Sequence, residues 1–116
     1  MRQTEAADEP VTLINAFTVP PGESERFLQR WNDNARIMSG QPGFIGARMY
    51  CAFSEDAELR FINVAEWRSE KALAEARANP EFQASVGRLM SDPELHVTPR
   101  PAVYRVAVEV HPSNEL

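Results

Sequence analysis

Four stretches of this sequence carry the two-residue alternation of β-strands, and the order in which helical stripes interrupt them restricts the fold sharply. The first stretch, 11–19, reads Val11-Thr12-Leu13-Ile14-Asn15-Ala16-Phe17-Thr18-Val19 and stops at Pro20-Pro21-Gly22. Glu23 and Glu25 then suit the first turn of a helix, where carboxylates meet the positive end of the dipole. Phe27, Leu28, Trp31, Ala35 and Met38 recur at helical spacing, with Gly40 and Pro42 as the stop. A second strand is expected over 44–53, with Ile45, Ala47, Met49 and Cys51 on its apolar face, and a third over 59–67 after the polar turn Ser54-Glu55-Asp56-Ala57. Ser69 is a fitting N-cap for a helix through Leu73 to about Arg77. Asn79-Pro80 reads as a second helix start, a cap followed by proline at the first helical position, carrying Phe82, Val86, Leu89 and Met90. After a loop over 91–99, a fourth strand is expected over 102–110. The domain is thus expected to span 11–110, between a disordered lead over 1–10 and a frayed polar tail over 111–116.

The order βαββαβ predicts an α+β, ferredoxin-like fold: a four-stranded antiparallel sheet with its helices on one face. By alternation the other face would hold Thr12, Ile14, Ala16, Arg48, Tyr50, Arg60, Ile62, Val64, Glu66, Val103, Arg105 and Ala107. About half of these are apolar, too many to leave in water across a whole sheet. Burial against the same face of a second copy is the expected solution, a homodimer through the open sheet face. Arg48, Arg60, Arg105, Glu66 and Glu109 would then form ion pairs at its rim.

Against that pattern three residues are out of place. Leu13, Asn15 and Phe17 share the helix-facing side of strand one, and Phe61, Asn63, Ala65 and Trp67 share it on strand three. Asparagine is depleted in strands, and a buried amide without partners costs about 1–3 kcal/mol. Either amide alone could bond the other, or a backbone group at a strand end. Both together, in phase with Trp67, point to a cavity with polar groups on its wall.

Composition narrows the function. The 116 residues form one domain, with 12 basic and 17 acidic side chains, a net charge of −5 and no Lys/Arg cluster, so nucleic acid is not an expected partner. No apolar run approaches a membrane span and the first residues lack a signal peptide's apolar stretch, so a cytoplasmic protein without a membrane partner is expected. The single cysteine, Cys51, excludes an internal disulfide, fits a reducing compartment, and reads as strand filler rather than a nucleophile.

Four segments carry a resemblance to a known family. They are the whole first strand with Pro20-Pro21-Gly22, Gln41-Pro42-Gly43-Phe44, Phe61-Ile62-Asn63-Val64-Ala65-Glu66-Trp67-Arg68-Ser69, and Asn79-Pro80-Glu81-Phe82. Together they resemble the antibiotic biosynthesis monooxygenase domain over roughly 11–110, which implies a dimeric α+β barrel. The branch most resembled in pattern is the cofactor-independent anthrone oxygenases of aromatic polyketide pathways, which make quinones with O2 and neither metal nor flavin. Asn15, Asn63 and Trp67 match that branch's strand-one asparagine and strand-three Asn-x-x-x-Trp, so the resemblance implies them as catalytic residues.

The expected substrate-binding walls are Phe17, Trp31, Met38, Met49, Phe61, Leu73 and Phe82. Leu73 stands where some of these oxygenases have a tyrosine, and no general base is evident. Water, His96 if its loop covers the pocket, or an arginine (Arg77 or Arg88) are the options, with His96 more readily a plain loop residue and His111 a tail residue. A second branch resembled, the haem-degrading monooxygenases, needs an iron-binding histidine and a helix tryptophan. By register from Trp67 those positions hold Ala76 and Val86, so no haem, and no other cofactor or metal, is expected. The alternatives are a cyclase or isomerase of a polyketide intermediate on the same scaffold, or a non-catalytic small-molecule-binding dimer.

Overall fold

The structure, a computed structural model, describes residues 9–113. The element order is β1 (Val11–Thr18), α1 (Ser24–Met38), β2 (Phe44–Cys51), β3 (Phe61–Trp67), α2 (Glu70–Arg77), α3 (Pro80–Met90) and β4 (Thr98–Tyr104). The strands form one antiparallel sheet in the order β2-β3-β1-β4. This is the expected ferredoxin-like α+β arrangement, with the second helical segment split in two. The lead over 1–10 lies almost wholly outside the described residues, as does the end of the 111–116 tail.

The split has a local cause. The Ser69 hydroxyl accepts the Ala72 N–H at 3.1 Å and starts α2. Two residues beyond its end, Asn79 Oδ1 accepts the Glu81 and Phe82 N–H groups at 2.8 and 3.2 Å, with Pro80 at the first helical position of α3. The entry to β2 is equally specific. Gly43 has φ +87°, and a Cβ there would stand 2.5 Å from the Ala72 Cβ, so only glycine lets strand and α2 approach so closely.

Register decides the two faces, and it corrects three expectations. First, β4 begins at Thr98 and ends at Tyr104, not 102–110; Pro99, expected in the preceding loop, and Pro101 are accepted because β4 is an edge strand. Val103 pairs with Leu13 and therefore faces the helices, while Arg105 and Ala107 lie beyond the strand. Second, β2 carries a bulge between Phe44 and Gly46. Phe44 consequently packs its ring 5.2 Å from Trp67, and Ile45, expected on the apolar face, is turned out and exposed. Third, Cys51 ends β2 at an exposed position rather than filling an apolar face. Of the expected rim charges, the Arg60 guanidinium bonds the Ala52 carbonyl and lies over the Phe61 ring, and Glu109 approaches His111 at 3.4 Å.

Between sheet and helices the apolar residues gather in two clusters. One contains Leu13, Met38, Ala65, Trp67, Leu73 and Ala76; the other contains Phe17, Val19, Phe27, Phe61, Leu89 and Leu95. Trp31 of α1 packs against both. The far loop is locked onto α1 by charge: the buried Asp92 carboxylate accepts Arg26 Nε at 2.8 Å and Arg30 Nε at 2.9 Å. Opposite the helices, a depression of about 530 Å³ on the open sheet face is lined by Ile45, Arg48, Tyr50, Val64 and Glu66 among others. No helix among the described residues is long and apolar enough to cross a membrane.

Candidate active site

A cavity of about 380 Å³ lies between the two apolar clusters, inside the range of roughly 300–1,000 Å³ usual for small-molecule sites. Its floor is the helix-facing side of β1 and β3, with Leu13, Asn15, Phe17, Asn63 and Trp67. Trp31, Asn34 and Met38 of α1 form one wall, and Leu73 and Ala76 of α2 with Phe82 and Leu89 of α3 form the other. The exposed residues among its lining, Arg77, Val86, Met90 and Pro101, mark its mouth.

The three residues singled out by sequence converge here in different chemical states. Asn15 and Asn63 are direct partners in the β1–β3 register, but their amides do not satisfy each other. The Asn15 Oδ1 accepts the Arg100 backbone N–H at 3.0 Å, which fixes the amide and leaves its NH2 as the group without a role in the sheet. Asn63 Oδ1 and Trp67 Nε1 are fully buried and have no hydrogen-bond partner among the described residues. Asn63 is 3% exposed and Trp67 1%. Buried polar atoms are nearly always paired. Each orphan costs about 1–3 kcal/mol, and both residues line the cavity floor.

A third such atom was not foreseen. Asn34 Oδ1 on α1 is buried without a partner among the described residues, and its residue lines the same cavity. The sequence held a signal: Phe27, Trp31, Asn34 and Met38 step along one helix face, so a polar residue interrupts an apolar stripe. Its neighbour Asp33 faces water, within 3.5 Å of Arg36.

Other expectations are redistributed. Phe17, Trp31, Met38, Leu73 and Phe82 line the cavity as walls. Phe61 does not, because its ring is taken up by Phe27, 5.3 Å between centroids; Met49 packs against the Phe17–Phe27–Leu89 cluster instead. His96 is not a lining residue. Its Nδ1 and backbone N both lie 2.7 Å from the Glu23 carboxylate just before α1, and these hydrogen bonds, the side-chain one first, hold Glu23 below the usual carboxylate range. Arg77 reaches the mouth, whereas Arg88 lies on the outer surface with Asp33 and Arg36. The described lining therefore contains no carboxylate and no histidine to act as a base.

The family model for antibiotic biosynthesis monooxygenases matches residues 10–88. The chain belongs to that family. Membership makes it a monooxygenase-type enzyme, as the resemblance implied. Among its relatives, the "Heme oxygenase (mycobilin-producing)" of Mycobacterium tuberculosis is 30% identical over 78 residues, 67% of this chain and 72% of the relative. The crystal structure of a monooxygenase candidate from Shewanella loihica PV-4 superposes with a TM-score of 0.74 at 31% identity, covering 87% of this chain and 97% of that one. SnoaB, a cofactor-independent oxygenase from Streptomyces nogalater, superposes with a TM-score of 0.72 at 26% identity, covering 90% and 99%.

The two kinds of relative make different demands, and this cavity answers them unequally. Haem iron is held by histidine, cysteine or tyrosine, or by methionine opposite a histidine. The lining has none of the first three; Met38 and Met90 are its only soft donors. Ala76 and Val86, the positions from which the resemblance would have haem bound, do border the cavity, and neither can ligate iron. The residues present do not fit haem.

Proposed function

We propose that this enzyme is a cofactor-independent monooxygenase that oxidises an aromatic polyketide, an anthrone or comparable hydroquinone, to a quinone with O2. The observation that carries the reading is the pair of buried, unpartnered polar atoms, Asn63 Oδ1 and Trp67 Nε1, on the floor of a mainly apolar, ring-lined cavity.

The chemistry asks little else of a protein. A substrate that loses its ring C–H or O–H proton becomes an electron-rich enolate, which passes one electron to O2. The resulting radical and superoxide combine to a peroxide, and loss of water from it leaves the new carbonyl; one oxygen atom enters the product and the other leaves as water. The Trp67 indole N–H and the NH2 groups of Asn15 and Asn63 are the donors for the enolate oxygen, fixed in advance and shielded from bulk water, while the Asn63 Oδ1, an acceptor, pairs with a hydroxyl of the same substrate. A fixed donor of this kind contributes about 3 kcal/mol to the barrier reduction. The proton goes to water, and Arg77 at the mouth favours the anion. Phe17, Trp31 and Phe82 supply the faces against which a flat ring system packs.

The working form is a homodimer in the cytoplasm. The open sheet face leaves Ile14, Ile62 and Val64 only partly covered and Tyr50 and Tyr104 exposed. Val106, Val108 and Val110, beyond β4, are 71%, 80% and 84% exposed. A second copy across this surface buries them. Light scattering on the purified chain is expected to give twice the monomer mass, and a stable monomer would overturn this part.

The test of the reaction is oxygen uptake by the purified chain with anthrones and naphthols, metal chelator present. Consumption of O2 equimolar with substrate supports it. A substrate rearranged without O2 would instead show the cyclase or isomerase, and binding without turnover the small-molecule-binding dimer.

A further inference from the structure

The geometry points to a second polar subsite: we propose that the Asn34 carboxamide oxygen accepts a hydrogen bond from a hydroxyl on the edge of the ring system opposite the reacting oxygen. The preferred substrate is then an aromatic with hydroxyls on two opposed edges. This rests on the aromatic-substrate reading above and specifies it.

Asn34 belongs to α1, which covers the sheet, whereas Asn63 and Trp67 rise from β3 on the floor. The two polar groups therefore meet a bound ring from different elements. Asn34 is 9% exposed, and its oxygen has no partner among the described residues. Its helix neighbour Asp33 turns outward to Arg36, and the Asn15 Oδ1 on the floor is already held by Arg100. On the same helix face Trp31 and Met38 are apolar and could have been continued by leucine at no polar cost. A carboxamide oxygen in that position can only accept, so its complement is a hydroxyl that donates. A methoxy group of similar size, which has no hydrogen to donate, does not satisfy it.

Three fused-ring probes test this by equilibrium binding without oxygen: 1-naphthol, 1,5-dihydroxynaphthalene and 5-methoxy-1-naphthol. The wild-type chain is expected to bind the diol roughly three- to tenfold more tightly than the other two, the worth of one neutral hydrogen bond. Asn34→Leu is expected to erase that preference while holding 1-naphthol as before. A wild-type series in which the diol has no advantage, or a methoxy compound that binds as tightly, overturns the subsite without any variant being needed. A preference that survives in Asn34→Leu overturns it equally. Binding of all three with a flat series leaves the aromatic-site reading standing and removes only Asn34's role; no binding by any of them removes both.

Discussion

The Asn15 side chain reaches across to the edge strand: its Oδ1 accepts the backbone N–H of Arg100 at 3.0 Å. The residue on β1 that lines the cavity floor thus also fastens β4, which contributes Pro99 and Pro101 to the same cavity.

That double attachment separates two variants. Asn15→Ala removes the acceptor and is expected to lower stability by about 0.5–1.5 kcal/mol, since the freed N–H near the exposed edge can turn to water. Asn15→Asp keeps the acceptor and loses the NH2 donor. It should hold its melting temperature closely while turnover falls, and a melting curve beside an oxygen-uptake rate distinguishes the two effects.

Asn63 makes the opposite prediction about stability. Its buried oxygen is unpaired in the free chain, so Asn63→Leu, of similar volume, is expected to raise stability by about 1–3 kcal/mol while abolishing most turnover. Trp67→Phe should keep the packing against Phe44 and lose the indole N–H, with turnover down about 10²–10³-fold and binding much less affected. Unchanged turnover in both variants would remove these residues from the chemistry.

Asp92 predicts how the fold responds to acid. The Arg26 guanidinium, the Glu94 backbone N–H and Arg30 hold its carboxyl far below its ordinary value of 3.8. A carboxyl depressed in the folded state stabilises it fully above the unfolded value and loses that contribution as pH falls through the folded one. Asp92→Asn should therefore melt well below the wild type at neutral pH, with the gap closing only under strongly acidic conditions, below about pH 4. Melting temperatures measured across that range check it. A gap that stays constant with pH would show that the ion pairs do not carry the loop.

Haem should find no axial ligand. Titration of the wild-type chain with haem is expected to give no histidine-ligated Soret band. Ala76→His, which places an imidazole on the cavity wall, is expected to produce one. A tight, histidine-type spectrum from the unaltered chain would contradict the cavity chemistry described above.

The succession of elements was readable because it depends on local rules. Alternation marked β1 and β3, Ser69 and Asn79-Pro80 marked the helix starts, and Pro20-Pro21-Gly22 marked a turn whatever lay elsewhere. The helix-facing set on β3 followed from counting by twos, which is why Asn63 and Trp67 were found on one surface. Counting failed where partners intervene. A bulge at Ile45 reversed the phase of β2 for one residue, and Val103 took its side from Leu13 rather than from its own neighbours. Asn34 went unnoticed because a polar residue within a helical stripe has no meaning until what faces it is known.

By itself, then, the order of residues determined the βαββαβ succession and placed two amides and an indole on the side of the sheet that the helices cover, since side-chain direction along a strand is a property of the local backbone. Only the tertiary structure decided which of those polar atoms stay unpaired. Asn15 is satisfied by a strand 85 residues away, Asn63 and Trp67 are not, and Asn34 joins them from the opposite layer. Hydrogen-bond saturation is settled by which distant groups come within about 3 Å, and that is known only once the chain has closed on itself.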